Sequence, residues 1–181
     1  MQFKHIGVFV GLSAVVATAT SADWGIAVGV ANNTQVLYAP IQVAPGWRVE
    51  PFFGHSKTDT VRDVSIYSDA KNAYSDWTLG AGVFGVRPAS PQVNLLGGLR
   101  LAYLKSTQDN GFFGGTERKG YALAPTVGFE YFIEKHIAVG AEASFNVSRV
   151  KEKRMSYSET TEGTIRARST SSLVTLKYFF N

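Results

Sequence analysis

Along most of the chain, large apolar residues recur at every second position, the period of a β-strand with two unlike faces. From Lys119 to Phe132, one face holds Tyr121, Leu123, Pro125, Val127, Phe129 and Tyr131. The other holds Gly120, Ala122, Ala124, Thr126, Gly128 and Glu130. The next stretch sets Ile137, Val139, Ala141, Ala143, Phe145 and Val147 against Ala138, Gly140, Glu142, Ser144, Asn146 and Ser148. Leu95, Leu99, Leu101 and Tyr103 oppose Asn94, Gly98, Arg100 and Ala102 in the same way. At the end of the chain, Val174, Leu176, Tyr178 and Phe180 oppose Thr175 and Lys177.

Eight strands are predicted: Trp24–Val30, Thr34–Val43, Trp47–Lys57, Asp76–Val86, Val93–Lys105, Lys119–Phe132, His136–Ser148 and Ile165–Phe180. After a short first connection at Asn32 and Asn33, two kinds of connection alternate. Tight turns are expected at Ala44-Pro45-Gly46, Arg87–Gln92 and Ile133–Lys135, and long polar loops at Thr58–Ser75, Ser106–Arg118 and Arg149–Thr164.

The second face decides the surroundings. A soluble sandwich buries its bulky face and exposes a face rich in Lys, Glu and Thr. Here the bulky face alternates with glycine, alanine, serine and single charges, which suits the inside of a narrow barrel. The bulky face then meets lipid. Closure is required, because a strand edge open to hydrocarbon leaves unpaired backbone groups. The expected fold is therefore all-β, an eight-stranded antiparallel up-and-down transmembrane β-barrel. Both termini and every tight turn fall on its periplasmic side. Aromatics should mark the two membrane interfaces, with Trp24, Trp47, Tyr131, Phe132 and Phe180 at the periplasmic rim and Trp77, Tyr103 and Tyr121 at the other.

The N-terminus has a different pattern. Lys4 precedes an apolar run from Ile6 to Ala19, and small residues follow at Ala17, Ala19 and Ala22. That is the shape of a secretory signal peptide, too short for a spanning helix. Cleavage is expected after Ala22, with Ala19 the alternative, giving a signal peptide over 1–22 and one barrel domain over 23–181.

Composition agrees with this reading. The 181 residues include 18 glycines, no cysteine, 45% apolar and 18% charged residues. Thiolate metal sites and disulfides are thereby excluded, and so much glycine would be costly in helices. The net charge of +4 is scattered, with no basic stripe or recognition helix for nucleic acid.

The runs LYAPIQVAPGWRVEP, LLGGLRLAYLKS and GYALAPTVGFEYF, the last followed by AVGAEASF, resemble the OmpA/OmpX-type small outer-membrane β-barrel family, in particular its stand-alone barrel-domain members. The resemblance covers Trp24 to Phe180. It implies residence in the outer membrane of a Gram-negative-type envelope, among outer-membrane lipids and lipopolysaccharide. The closing LVTLKYFF is similar to the C-terminal signal read by the barrel-assembly machinery, with Leu176, Tyr178 and Phe180 at its apolar positions. Family members usually end on the aromatic, whereas here Asn181 follows. No periplasmic peptidoglycan-binding domain is expected after the last strand.

Six charges fall on inward faces: Arg48, Glu50, Arg100, Glu130, Glu142 and Lys177. Unpaired charges in a dry lumen are costly, so they should neutralise one another. Arg100 and Glu142 are expected as a mid-height pair, and the other four as a cluster nearer the periplasmic end. The reading is a filled, structural interior; a gated ion path is the alternative, and an open pore needs about 16 strands.

An active site is not expected. His55 and Ser56 are similar to part of the His/Ser/acid sites of barrel-type lipid A deacylases, but adjacent residues point to opposite faces of a strand. His136 is read as an interfacial residue. No metal or cofactor is expected, since Asp59, Asp63, Asp69 and Asp76 lack a calcium-loop spacing. Candidate recognition residues for an extracellular or host-surface ligand are Phe112, Phe113, Lys151, Lys153 and Arg154, because loops on a rigid scaffold carry recognition. The leading expectation is a monomeric, non-enzymatic outer-membrane protein. It would serve envelope integrity or surface interaction, with a small-solute channel and a lipid A-modifying enzyme as alternatives.

Overall fold

Alternating small and bulky residues form strands throughout the computed structural model, which describes residues 24–31, 34–62, 70–109, 114–156 and 159–180. The expected signal peptide lies outside these residues. In chain order the strands are β1 (Trp24–Ala31), β2 (Thr34–Tyr38), β3 (Ile41–Ala44), β4 (Trp47–Arg62), β5 (Ala70–Ser90), β6 (Val93–Asp109), β7 (Gly115–Glu134), β8 (Ile137–Met155) and β9 (Thr160–Phe180). Each pairs antiparallel with its neighbours, and β1 pairs with β9 from Trp24↔Phe180 to Val30↔Val174, which closes the ring.

β2 and β3 are two halves of one stave. Ala27↔Tyr38 and Trp24↔Ile41 share one register, so no residue is gained or lost at the interruption. The break falls at Pro40, which has no N–H to give to the ladder. Its carbonyl still accepts from Gly25 (2.8 Å), and Ala39 donates to Pro51 (3.0 Å). The stretch Thr34–Val43, expected as one strand, is thus one stave with a proline seam, and eight staves make the barrel.

Stepping across the ladders fixes the geometry. From Trp24 the path runs through Ile41, Val49, Val83, Leu99 and Pro125, crosses to Phe145 in the register that Leu123↔Val147 and Thr126↔Ser144 share, and reaches Thr170. Thr170 lies four residues beyond Val174, the partner of Val30, so the path returns to β1 level with position 34, ten residues on. Eight staves with that stagger, at ~4.8 Å spacing and ~3.3 Å rise, tilt by about 40°.

The tight connections are shorter than expected, being centred on Pro45-Gly46, Pro91-Gln92 and Lys135-His136. Gly46 has φ of 73°, a conformation that favours glycine, and its carbonyl accepts from Val86 N–H (2.9 Å). His136 sits in a turn rather than opening a strand. At the opposite end, the three stretches expected as loops are largely strand: β4–β5, β6–β7 and β8–β9 continue as long paired hairpins. The apolar period stops there because the surroundings change, but the backbone pairing does not.

The two faces differ as barrel geometry requires. Leu79, Leu101, Val127 and Val174 are about 60% exposed on the outside. Tyr121 and Tyr131, ten residues apart on β7, put the two aromatic levels about 25 Å apart at this tilt, the height of a transmembrane barrel's apolar band. At one level Trp24 stacks on Phe180 (4.3 Å), and Trp47, Tyr131 and Tyr178 are exposed nearby in the register. At the other, Tyr103 meets Tyr121 edge-on (5.5 Å) and Trp77 meets Phe53 (5.5 Å). Phe132 corrects the sequence reading: it turns inward and stacks on Phe179 (5.8 Å), because it shares the parity of Glu130 rather than Tyr131.

The interior is not lined by small residues alone. Phe84 is fully buried, and Val36, Tyr38, Phe52, Val86, Leu96, Leu173 and Phe179 also point inward. Inward glycines make the seats for these rings. A Cβ on Gly80 would press into the Phe52 ring (2.5 Å), and one on Gly82 or Gly98 would collide with Phe84.

Candidate functional site

Strand parity brings all six inward charges into the same space. Arg48 and Glu50 come from β4, Arg100 from β6, Glu130 from β7, Glu142 from β8 and Lys177 from β9. Glu50 and Glu130 are 0% exposed and Lys177 is 1% exposed. Lys177 Nζ lies 2.8 Å from Glu50, 2.8 Å from Glu130 and 3.7 Å from Glu142. Glu50 in turn faces all three cations, with Arg100 at 3.0 Å and Arg48 at 3.6 Å besides the lysine. Arg48 donates to Glu130 (2.5 Å), and Arg100 lies 2.7 Å from Glu142.

The expected separation into a mid-height pair and a lower cluster does not occur. Arg100 reaches both Glu142 and Glu50, so one network contains all six residues. The register explains this, because Glu50, Gly82 and Arg100 lie in one ladder row and only a glycine separates the two charges. Three cations face three carboxylates, and the cluster is neutral. Buried charges are tolerated only when paired this closely.

Aromatic rings complete the enclosure. The Arg100 guanidinium lies 4.9 Å from the Tyr38 ring centre, 5.0 Å from Phe84 and 5.7 Å from Phe52. Arg48 lies over Phe179 at 5.1 Å. Such contacts favour a desolvated guanidinium. Sequence reasoning missed these rings by assigning bulky residues to lipid, yet the signal was present. Phe52 follows Glu50 by two residues, and Phe179 follows Lys177 by two. Toward the hairpin end, Val36, Tyr38, Phe52, Ala102 and Leu173 pack into an apolar layer above the charges.

The other predicted residues do not converge. His55 faces outward against Trp77 (4.3 Å), while Ser56 is half-buried on the opposite face. His136 Nδ1 lies 3.1 Å from the Phe179 carbonyl oxygen. Phe112 and Phe113 lie outside the described residues, as do Asp63 and Asp69. Lys151, Lys153 and Arg154 stand on β8 rather than in a loop. Leu176 and Tyr178 point outward beside Phe180, with the two rings 4.9 Å apart.

A second ionic group escaped the sequence reading because its strands were taken for loops. Arg118 donates to Glu152 (2.5 Å), and Arg154 donates to the other carboxylate oxygen (2.6 Å). The Arg118 hydrogen bond, aided by Arg154, holds the Glu152 carboxyl below the usual carboxylate range.

No protein-family model matches the sequence, and comparison with curated proteins gives no match. Solved structures do match. The chain is similar to a major outer membrane protein from Thermus thermophilus, with a TM-score of 0.55 at 13% identity, over 89% of this chain and 100% of that one. It is likewise similar to Neisserial surface protein A, with a TM-score of 0.54 at 13% identity, over 88% of this chain and 94% of that one. At such identity the likeness is one of architecture: the chain has the fold of the small outer-membrane β-barrels.

Proposed function

We propose that this chain is a non-enzymatic integral protein of the outer membrane, with a sealed lumen and an envelope-integrity or surface-interaction role carried by its three long hairpins. The observation that carries the reading is the contrast between faces: apolar side chains on the outside, and a neutral six-ion cluster buried within. A water-soluble barrel would reverse that arrangement. In this reading the tight turns and both strand termini face the periplasm, and the hairpins face the exterior. Residues 1–22 act as a cleaved signal, Leu176, Tyr178 and Phe180 engage the assembly machinery, and the mature barrel is a monomer among outer-membrane lipids and lipopolysaccharide.

The direct test is extraction from outer membranes followed by electrophoresis with and without heating. A heat-dependent shift in migration is the expected result, and recovery as a water-soluble monomer would overturn the membrane reading. Intact mass of the extracted protein should correspond to a start at Asp23, or at Thr20 if cleavage follows Ala19. In a planar bilayer the barrel should be silent. Discrete openings that vanish in Arg100→Ala would instead make the chain a small-solute channel. Lipid A should keep its acylation pattern when the protein is expressed, and loss of an acyl chain would return the enzyme reading.

A further inference from the structure

The outer face of the β6–β9 wall changes character within one ladder row. Leu101, Leu123, Val147 and Arg168 lie in register, and the next outward row toward the hairpin end is Tyr103, Tyr121, Arg149 and Arg166. Beyond it come Lys105, Lys119, Lys151 and Thr164. Arg149 therefore stands directly opposite Arg166, and Lys119 stands between two lysines. Like charges facing each other across a ladder are destabilising. Lys119 has Glu117 at 2.7 Å, whereas among the described residues no carboxylate pairs with Arg149, Arg166 or Arg168.

These side chains border a groove of about 650 Å³ on the barrel's outer surface. Leu101, Leu123 and Val147 form its apolar end and the three arginines its cationic rim, with the exposed Tyr121 ring between them. The rim lies at the level of the Tyr103–Tyr121 aromatic pair, where a bilayer's headgroups begin. We infer that this groove binds a phosphorylated lipid of the outer leaflet. Guanidinium groups grip phosphate oxygens in paired hydrogen bonds, and the acyl chains run down over Leu101, Leu123 and Val147. A soluble anion would use the cations and leave the apolar half empty. The inference rests on the membrane reading above and adds a specific binding site to it.

Native mass spectrometry of the full barrel released from nonionic micelles tests it, with diphosphorylated lipid A and its dephosphorylated form as probes. The wild type should retain one phosphorylated lipid and shed the dephosphorylated one. The triple variant Arg149→Ser, Arg166→Ser, Arg168→Ser should retain at least about tenfold less, as expected when several charge-assisted hydrogen bonds are lost. Lys135→Ser, at the far end, should behave as wild type. Heat-dependent migration is checked first; if the triple variant lacks it, the single Arg166→Gln replaces it. Equal retention by wild type and variant, equal retention of both lipids, or a dimer of barrels without lipid would each overturn the site. Folded migration from outer membranes with no lipid preference would remove this site and leave the membrane reading standing.

Discussion

The two ends of this barrel are built on different terms. Toward the tight turns, every stave has a partner on both sides, and the interior is filled by rings, seated against glycines, around a neutral ionic cluster. Toward the hairpins, the β1–β2 connection ends early. Among the described residues, from Lys57 onward β4 pairs only with β5, and before Val174 β9 pairs only with β8. The free edge of β9 reads Arg166, Ala167, Arg168, Ser169, Thr170, Ser171 and Ser172, the polar and charged character that keeps an exposed edge from pairing further. One end is held by packing that excludes water, and the other by pairing that tolerates it.

That difference sets the size of the expected responses. Gly98→Val should do the most damage, because the new side chain would meet the Val83 carbonyl and the Phe84 backbone, which cannot swing away. Its cost should exceed the ~1–3 kcal/mol of ordinary overpacking, and no heat-modifiable species should form. A folded Gly98→Val barrel would show that the ring seats are not needed. Next, Lys177→Met leaves three carboxylates facing two arginines. Removing one partner from a buried ionic group costs about 3–5 kcal/mol, readable as a lowered urea midpoint in lipid vesicles. Adding Glu130→Gln should recover part of that loss.

At the hairpin end the same kind of change should matter little. Arg118→Ala removes a close partner of Glu152, but the arginine itself is half-exposed, Arg154 still holds the carboxylate, and pairs open to water contribute little. Its urea midpoint should stay near that of the wild type; a loss as large as that of Lys177→Met would erase the distinction between the two ends. The smallest effect is a titration. The Glu152 carboxyl is held below its ordinary value, so its contribution is present above the unfolded carboxylate range and fades as pH falls through the lowered folded value. NMR of its side-chain carbonyl carbon should show a midpoint below that of an ordinary glutamate, moving up in Arg118→Ala.

The architecture was legible because lipid enforces a strict rule on the outer face. Tyr121, Leu123, Val127 and Phe129 alternate without exception, and that run alone sets the register of β7. The inward charges were legible for the same reason, by parity. Their grouping was not, since it depends on which residues the ladders bring side by side, which no single strand records. Arg100 and Glu50 are fifty residues apart and meet because Gly82 of β5 pairs with both. Phe52, Phe84 and Tyr38 were hidden by the assumption that size implies lipid contact. The hairpins were hidden because paired strands in water need no apolar period: Ser106, Arg118 and Glu152 form ladder pairs that read as loop chemistry.

Lys177 lies on the last stave, and its three acidic partners belong to staves made before it. Until β9 lies against β1, the half-formed lumen carries one negative charge too many. Correct closure cancels it, and a register slipped by one residue would turn the ammonium out into hydrocarbon. The final strand therefore delivers two messages by parity, a greasy one read from outside and an electrical one read from within.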